Sequence, residues 1–287
     1  MKTKLTILII ILIGLTSCEK YFDYNFDVKP VVVVNCLLKA NDTIFVDLSY
    51  TKKEMMNFEK IENAEIFIYE ENIFKEKLLH IKEGKYKSIN FIPQEEKKYT
   101  LKVKIPEHDT ITANTFIPKL VELDTLTHFF VQASNQIEEK DREHTQMRII
   151  DKLEQKDFYL YKIDYVDGFP YSDDPVFKDV LRTSYSTWYN KGYFSDDLFN
   201  GKIYNISVDY PYLDRISKDS LWLNFEFGSI SEEMFLYLNS VDEQDYSMRS
   251  DANYFMEPVP IYSNITNGIG IFAGYATKEY EYVFVKP

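Results

Sequence analysis

The chain has 287 residues, with 33 Lys and Arg against 46 Asp and Glu, a net charge of −13. That balance excludes nucleic acid and anionic lipid headgroups as expected partners, since both select for clustered Lys and Arg. Tyr (23) and Phe (21) are abundant and Gly (9) is scarce, a composition that favours sheets over helices.

The first seventeen residues have three zones. Met1-Lys2-Thr3-Lys4 is a basic start, Leu5 to Leu15 is almost unbroken aliphatic, and Thr16-Ser17 precede Cys18. A basic region, an apolar run and small residues at a cut describe a secretory signal. Eleven apolar residues are too few for a membrane span, which needs ~20. The ending Leu15-Thr16-Ser17-Cys18 resembles the bacterial lipobox, in which the cysteine is acylated and becomes the new N-terminus. Residues 1–17 are therefore expected to be removed and Cys18 to carry palmitoyl-type lipid. The alternative is an ordinary signal that happens to contain a cysteine. Cleavage removes Lys2 and Lys4 and no acids, which leaves 31 basic and 46 acidic side chains and a net charge of −15. Two or three acyl chains anchor firmly at ~0.8 kcal/mol per buried methylene, so membrane contact needs no basic face. The other cysteine, Cys36, lies in the apolar run Val31 to Leu38 and reads as a small buried hydrophobe.

Residues 18–28 read as the lipidated N-terminus and a tether. From residue 29 to 118, seven short strand-like runs follow one another at 31–38, 43–50, 64–69, 76–81, 85–91, 97–105 and 110–117. Asn41-Asp42, Asn63, Glu83-Gly84 and Pro93 punctuate them. Ile44, Val46 and Leu48 alternate with Phe45, Asp47 and Ser49, and Leu101, Val103 and Ile105 alternate with lysines. This pattern predicts an immunoglobulin-like β-sandwich over 29–118. The remainder, 119–287, is expected to form a second β-rich domain, giving an all-β, mainly antiparallel protein. Alternation at Tyr159–Tyr165, Ile203–Tyr210 and Leu221–Phe227 predicts strands with one buried face each. Residues 132–146 and 167–200 are polar or turn-rich and read as long loops. One packed helix is expected after Ser229 or Ser231, either of which can cap it, with Glu232 and Glu233 in its first turn and Met234, Tyr237, Leu238 and Val241 on one face.

Signatures of chemistry are mostly missing. His80, His108, His128 and His144 show no ligand spacing, so no metal site is expected. The chain has no nucleophile elbow, phosphate loop or dinucleotide fingerprint, so neither catalytic residues nor a cofactor are expected. The acidic groups Asp173-Asp174, Asp196-Asp197 and Asp242-Glu243 with Asp245 read as solvated loop acids, although glycoside hydrolysis needs only two suitably spaced carboxylates. Tyr185, Trp188, Tyr189, Tyr193 and Phe194 form an aromatic cluster that serves either a core or a binding platform. Four triplets place Ser or Thr between Asp and an aliphatic residue, at Thr43, Thr110, Thr125 and Ser220. They resemble the O-glycosylation signal of Bacteroidetes exported proteins, where chance predicts roughly one such triplet. Asp-Thr before an apolar residue is equally a turn-to-strand junction.

Several stretches together resemble one family. They are Cys18-Glu19-Lys20, Pro30 to Asn35, Asn63-Ala64-Glu65-Ile66 and Gly84-Lys85-Tyr86. Further along stand Phe194-Ser195-Asp196-Asp197-Leu198-Phe199-Asn200-Gly201-Lys202, Glu257 to Ile265, and Asn267-Gly268-Ile269-Gly270-Ile271-Phe272. The chain is similar here to Bacteroidetes outer-membrane lipoproteins catalogued only as a domain of unknown function, often encoded beside TonB-dependent receptors. Cys36 departs from the family pattern, which has glycine there. The resemblance implies a lipid-anchored, non-enzymatic envelope protein, facing the cell surface or the periplasm, whose partner is an outer-membrane β-barrel receptor. The alternative is a surface glycan-binding or glycan-cleaving lipoprotein. Asn267-Gly268-Ile269-Gly270 is expected to be a turn feeding a strand whose glycine allows close backbone approach.

Overall fold

The computed structural model describes residues 29–51, 58–131, 142–153, 156–165, 176–177, 191–211, 220–249 and 259–285. The first half contains β1 (Val32–Lys39), β2 (Phe45–Tyr50), β3 (Glu65–Glu70), β4 (Ile73–Lys77), β5 (Leu79–Lys82), β6 (Lys85–Lys87), β7 (Lys97–Lys104) and β8 (Ile111–Ile117). The second contains β9 (Thr125–Val131), β10 (Arg142–Ile150), β11 (Phe158–Tyr165), β12 (Val176–Phe177), β13 (Lys191–Ser195), β14 (Ile203–Pro211), β15 (Ser220–Ile230), α1 (Glu232–Arg249) and β16 (Ile269–Val285). The fold is mainly antiparallel β, with α1 the one α-helix among the described residues.

Period-2 patterning builds the first half as the sequence predicts. Val32, Val34, Cys36 and Leu38 of β1 point inward, as do Val46 and Leu48 of β2, toward Ile66, Ile68, Leu101, Val103 and Ile111. The order β1-β2-β6-β5 faces the order β4-β3-β7-β8. These are the A-B-E-D and C′-C-F-G layers of an immunoglobulin-like sandwich. Tyr99, near the start of β7, makes the tyrosine corner of that fold: its hydroxyl lies 2.9 Å from Gln94 O and accepts the Gln94 N–H at 2.6 Å. Cys36 is buried in this core, and burial pushes its thiol far above the ordinary range, with Asp47 adding to the effect.

The second half differs from expectation at three places. Residues 142–146, read as loop, belong to β10, the strand between β9 and β14. Residues 167–200 include β12 and β13. In both cases ladder hydrogen bonds organise backbone whose side chains show no apolar alternation. β11 has two buried faces rather than one. Tyr159 and Tyr161 face β10 and β14 in one core, while Phe158 and Leu160 join Tyr193, Ile230 and Met234 of α1 in another. Strands covered on both faces read as continuous apolar runs, and Phe-Tyr-Leu-Tyr is such a run.

Strands on either side of the boundary expected at Pro118 share one sheet. The described residues from Val31 onward group as one compact unit. The eight-stranded sheet runs β13-β11-β15-β16-β1-β2-β6-β5, so strands of both halves share it. β16 is the joint: Ile269 to Tyr275 pair in parallel with β1, and Tyr275 to Val285 pair antiparallel with β15. Phe272 and Ala276 of β16 therefore complete the first-half core. Gly270 permits this, with φ of 119° and a virtual Cβ only 2.1 Å from Val34 O. Asn267 supplies the turn with φ of 61°. Asn264 acts as a local strand partner, donating to Phe272 O at 2.7 Å and accepting the Phe272 N–H at 3.0 Å. The turn-then-strand reading of 267–270 thus holds. β1 runs in regular register through Cys36, without a bulge.

Candidate functional site

Three aspartates meet at one end of the second half. Asp151 follows β10, Asp157 precedes β11 and Asp196 follows β13. One carboxylate oxygen from each lies within 4.8 Å of the others. Asp196 has no exposed surface, and Asp151 and Asp157 are only 6% and 8% exposed. The solvated-acid reading of Asp196-Asp197 is therefore corrected for Asp196 and kept for Asp197, which is exposed and pairs with Lys156 at 2.9 Å. The three carboxylates also have a spacing that would suit the ligands of one cation.

The local chain is built around the carboxylates. Asp151 accepts the Tyr159 hydroxyl on Oδ1 and the Gly201 N–H on Oδ2 at 2.7 Å. Asp196 Oδ2 accepts the Asp157 N–H at 3.0 Å, and its own N–H donates to Asp157 O at 3.0 Å. Phe199 N–H donates to Asp196 O at 2.7 Å, which closes the turn. Phe199 then stacks on Tyr204 with centroids 4.3 Å apart, and Gly201 adopts φ of 73°. The stretch Phe194 to Lys202 is thus a folded device that positions Asp196 from behind. Among the described residues, Asp196 Oδ1 has no hydrogen-bond donor. Burial pushes the Asp196 carboxyl upward, opposed by the backbone donor of Asp157 and reinforced by the Asp151 charge. The Tyr159 hydroxyl is likewise pushed up, by burial first and by Asp151 second. Two carboxylate charges at this spacing repel by roughly 3 kcal/mol at an effective dielectric of about 20, so neutralisation by a proton or a cation is favoured.

A second feature lies on the outer face of the first half. Phe67, Tyr69 and Phe74 cluster with centroids 5.7–6.3 Å apart. Lys102 sits 4.7 Å over Tyr69, and Lys104 and Lys77 sit 5.5 and 5.9 Å from the Phe67 ring. Sequence reading singled out Asp196 but neither cluster as a whole. Asp151 and Asp157 each flank an apolar strand, and only the fold brings them to Asp196.

The residues singled out from sequence are dispersed. Cys18 lies outside the described residues, as do Asp173, Asp174, Tyr185, Trp188 and Tyr189. Tyr193 and Phe194 are buried in two different cores and form no platform. Asp242 accepts the Tyr193 hydroxyl at 2.5 Å. Thr43, Thr110 and Thr125 are exposed beside or at the starts of β2, β8 and β9; Ser220 opens β15, and its side chain is outside the described set. Thr43 N–H donates to Asp42 Oδ1 at 2.6 Å, the geometry of a turn-to-strand junction. No helix among the described residues is long and apolar enough to cross a membrane.

Comparison with curated proteins gave no match. One solved structure, of a protein from Corynebacterium diphtheriae described as membrane anchored, aligns over 70% of this chain and 54% of its own, at 9% identity and a TM-score of 0.23. The chain thus spans about half the length of that protein, at a score that establishes no common fold. A family profile described as a domain of unknown function, DUF4249, matches residues 19–281, and the chain belongs to that family.

Proposed function

We propose that this protein is a lipid-anchored, non-enzymatic lipoprotein of the bacterial outer membrane, serving as an accessory subunit of a TonB-dependent receptor barrel. The observation that carries the reading is the place of Cys18. It closes a secretory signal, and the family match begins at the next residue, Glu19. Acylation there would leave a tether of about ten residues before the first sandwich. Rigid strands on a short tether hold loops toward a neighbour at the membrane surface. The two motifs that carry the family resemblance, 194–202 and 257–272, make local hydrogen bonds of the fold where they are described and name no reaction. Exposed Thr43, Thr110 and Thr125 are candidate glycan acceptors. The segment 167–200, the first candidate for receptor contact, lies mostly outside the described residues.

A glycan-binding role draws on the aromatic face of Phe67, Tyr69 and Phe74. Ammonium groups already sit over the Phe67 and Tyr69 rings, so a sugar would have to displace them. The accessory-subunit reading is preferred for that reason.

Cys18→Ala is the direct test. The variant should lose its lipid and leave the membrane fraction, or remain unprocessed; detergent partitioning like that of wild type would refute the anchor. Gentle extraction and affinity capture of the wild type should recover an outer-membrane barrel. Capture without any barrel, together with polysaccharide hydrolysis by the purified protein, would favour the glycan reading instead.

A further inference from the structure

We propose that Asp151, Asp157 and Asp196 form a divalent cation site of the calcium type, tying the end of β10 to the start of β11 and to the turn after β13. Two independent features support the assignment. The first is spacing. Two oxygens sharing one cation at about 2.4 Å can be no more than about 4.8 Å apart. One oxygen from each of the three carboxylates meets that limit. The second is the lone oxygen of Asp196. Its side chain has no exposed surface, its Oδ2 is occupied by the Asp157 N–H, and its Oδ1 has no donor among the described residues. Keeping a buried carboxylate oxygen unpartnered is unfavourable, and a shared cation relieves that penalty.

The chemistry selects the ion. The three ligands are carboxylate oxygens, with neither imidazole nor thiolate among them, which suits a hard cation over zinc. Magnesium holds several of its waters, whereas calcium accepts irregular protein cages. The near-complete burial of Asp151 and Asp196 leaves little room for water, so calcium fits better. Gly201 N–H and the Tyr159 hydroxyl hold Asp151, while the Asp157 N–H holds Asp196, so two carboxylates are oriented before an ion arrives. The ion would join strands from both sheets that enclose the core of Tyr159, Phe199 and Phe227.

The test uses full-length protein in detergent, stripped with EDTA and given calcium chloride alone. Calorimetry should find one ion per chain, and saturating calcium should raise the thermal midpoint by about 5 °C or more. Magnesium should need far higher concentrations, and an equal response at equal concentration would overturn the calcium assignment. Asp196→Asn keeps the side-chain shape while removing the charge. It should lose the calcium response and melt no lower than calcium-free wild type, because repulsion among the carboxylates falls. Asp197→Asn, on the exposed neighbour, should keep the response. Should Asp196→Asn fail to fold, terbium on the wild type replaces it as a probe. Terbium excited through tyrosine should luminesce and be displaced by calcium. No calcium response in stripped wild type, a full response in Asp196→Asn, or terbium emission that calcium leaves unchanged would each overturn the site and leave the cluster neutralised by protons.

Discussion

Gly270 and Gly201 both have positive φ, yet they differ in what a side chain would strike. A Cβ on Gly270 would sit 2.1 Å from Val34 O and 3.0 Å from Val34 N, backbone atoms fixed in the β1–β16 pair. A Cβ on Gly201 would meet Leu153 Cδ1 at 2.7 Å, which can turn away on a side chain 77% exposed, and Leu153 Cβ at 2.9 Å, which yields only if the surface loop shifts. Gly270→Ala therefore combines backbone strain of about 1–3 kcal/mol with a forced parting of two central strands. It should lower the unfolding free energy by more than about 2 kcal/mol. Gly201→Ala should cost less, about 1–2 kcal/mol for a side chain in left-handed backbone. Urea denaturation of the two variants side by side checks this ranking; equal midpoints would show that Val34 yields easily. The close approach at Gly270 was legible in Asn267-Gly268-Ile269-Gly270. Its partner was not, because Val34 lies at the opposite end of the chain and nothing in either segment encodes the pairing. The same limit hid the aspartate cluster, where Asp196 belonged to a recognisable motif but Asp151 and Asp157 did not.

Among the elements, strand patterns were read best where one face is wet. All seven runs predicted before Pro118 overlap strands of the structure, since alternation there records a real inside and outside. The reading failed at β10, whose start Arg142-Glu143-His144-Thr145-Gln146 is polar on both faces and is held by pairing to β9 and β14. The helix was placed correctly, with two candidate caps. The structure chooses Ser231: its Oγ accepts the Met234 N–H at 3.3 Å, and its carbonyl accepts the Phe235 N–H at 3.0 Å. Ser229 instead lies inside β15, where its Oγ accepts the Val121 N–H at 3.1 Å. Ser231→Ala should thus destabilise by about 1 kcal/mol through the lost cap. Gly274 N–H, which also reaches Ser231 Oγ at 3.3 Å, keeps its 3.0 Å bond to Thr115 Oγ1 and adds little. A chemical-denaturation midpoint unchanged by the substitution would mean that α1 starts without this cap.

At the scale of the whole molecule, the decisive feature is that β16 serves both halves. Residues 29–118 contain every strand of an immunoglobulin-like sandwich, so an isolated fragment has the right order to fold. What it lacks is Phe272, Ala276 and Ile265 in its core, and the strand against which β1 is paired over seven residues. Burying a phenylalanine contributes roughly 2–3 kcal/mol, a large share of a small domain's stability. Removing β16 also bares the β1 backbone as an open edge, which invites pairing with other chains. Fragment 29–118 expressed alone should therefore aggregate or unfold at a much lower urea concentration than the intact protein. Co-expression with 119–287 should rescue it, and the two pieces should elute together, because the parallel β1–β16 ladder re-forms between them. An intact chain nicked between Pro118 and Asp124 should likewise remain one particle on gel filtration, held by Lys39–Glu226 at 3.1 Å as well as by the ladder. The contrary result is a lone 29–118 fragment that is monomeric and unfolds cooperatively at the midpoint of the full chain. That would mean the first sandwich closes its own core and that β16 is only laid against a finished domain.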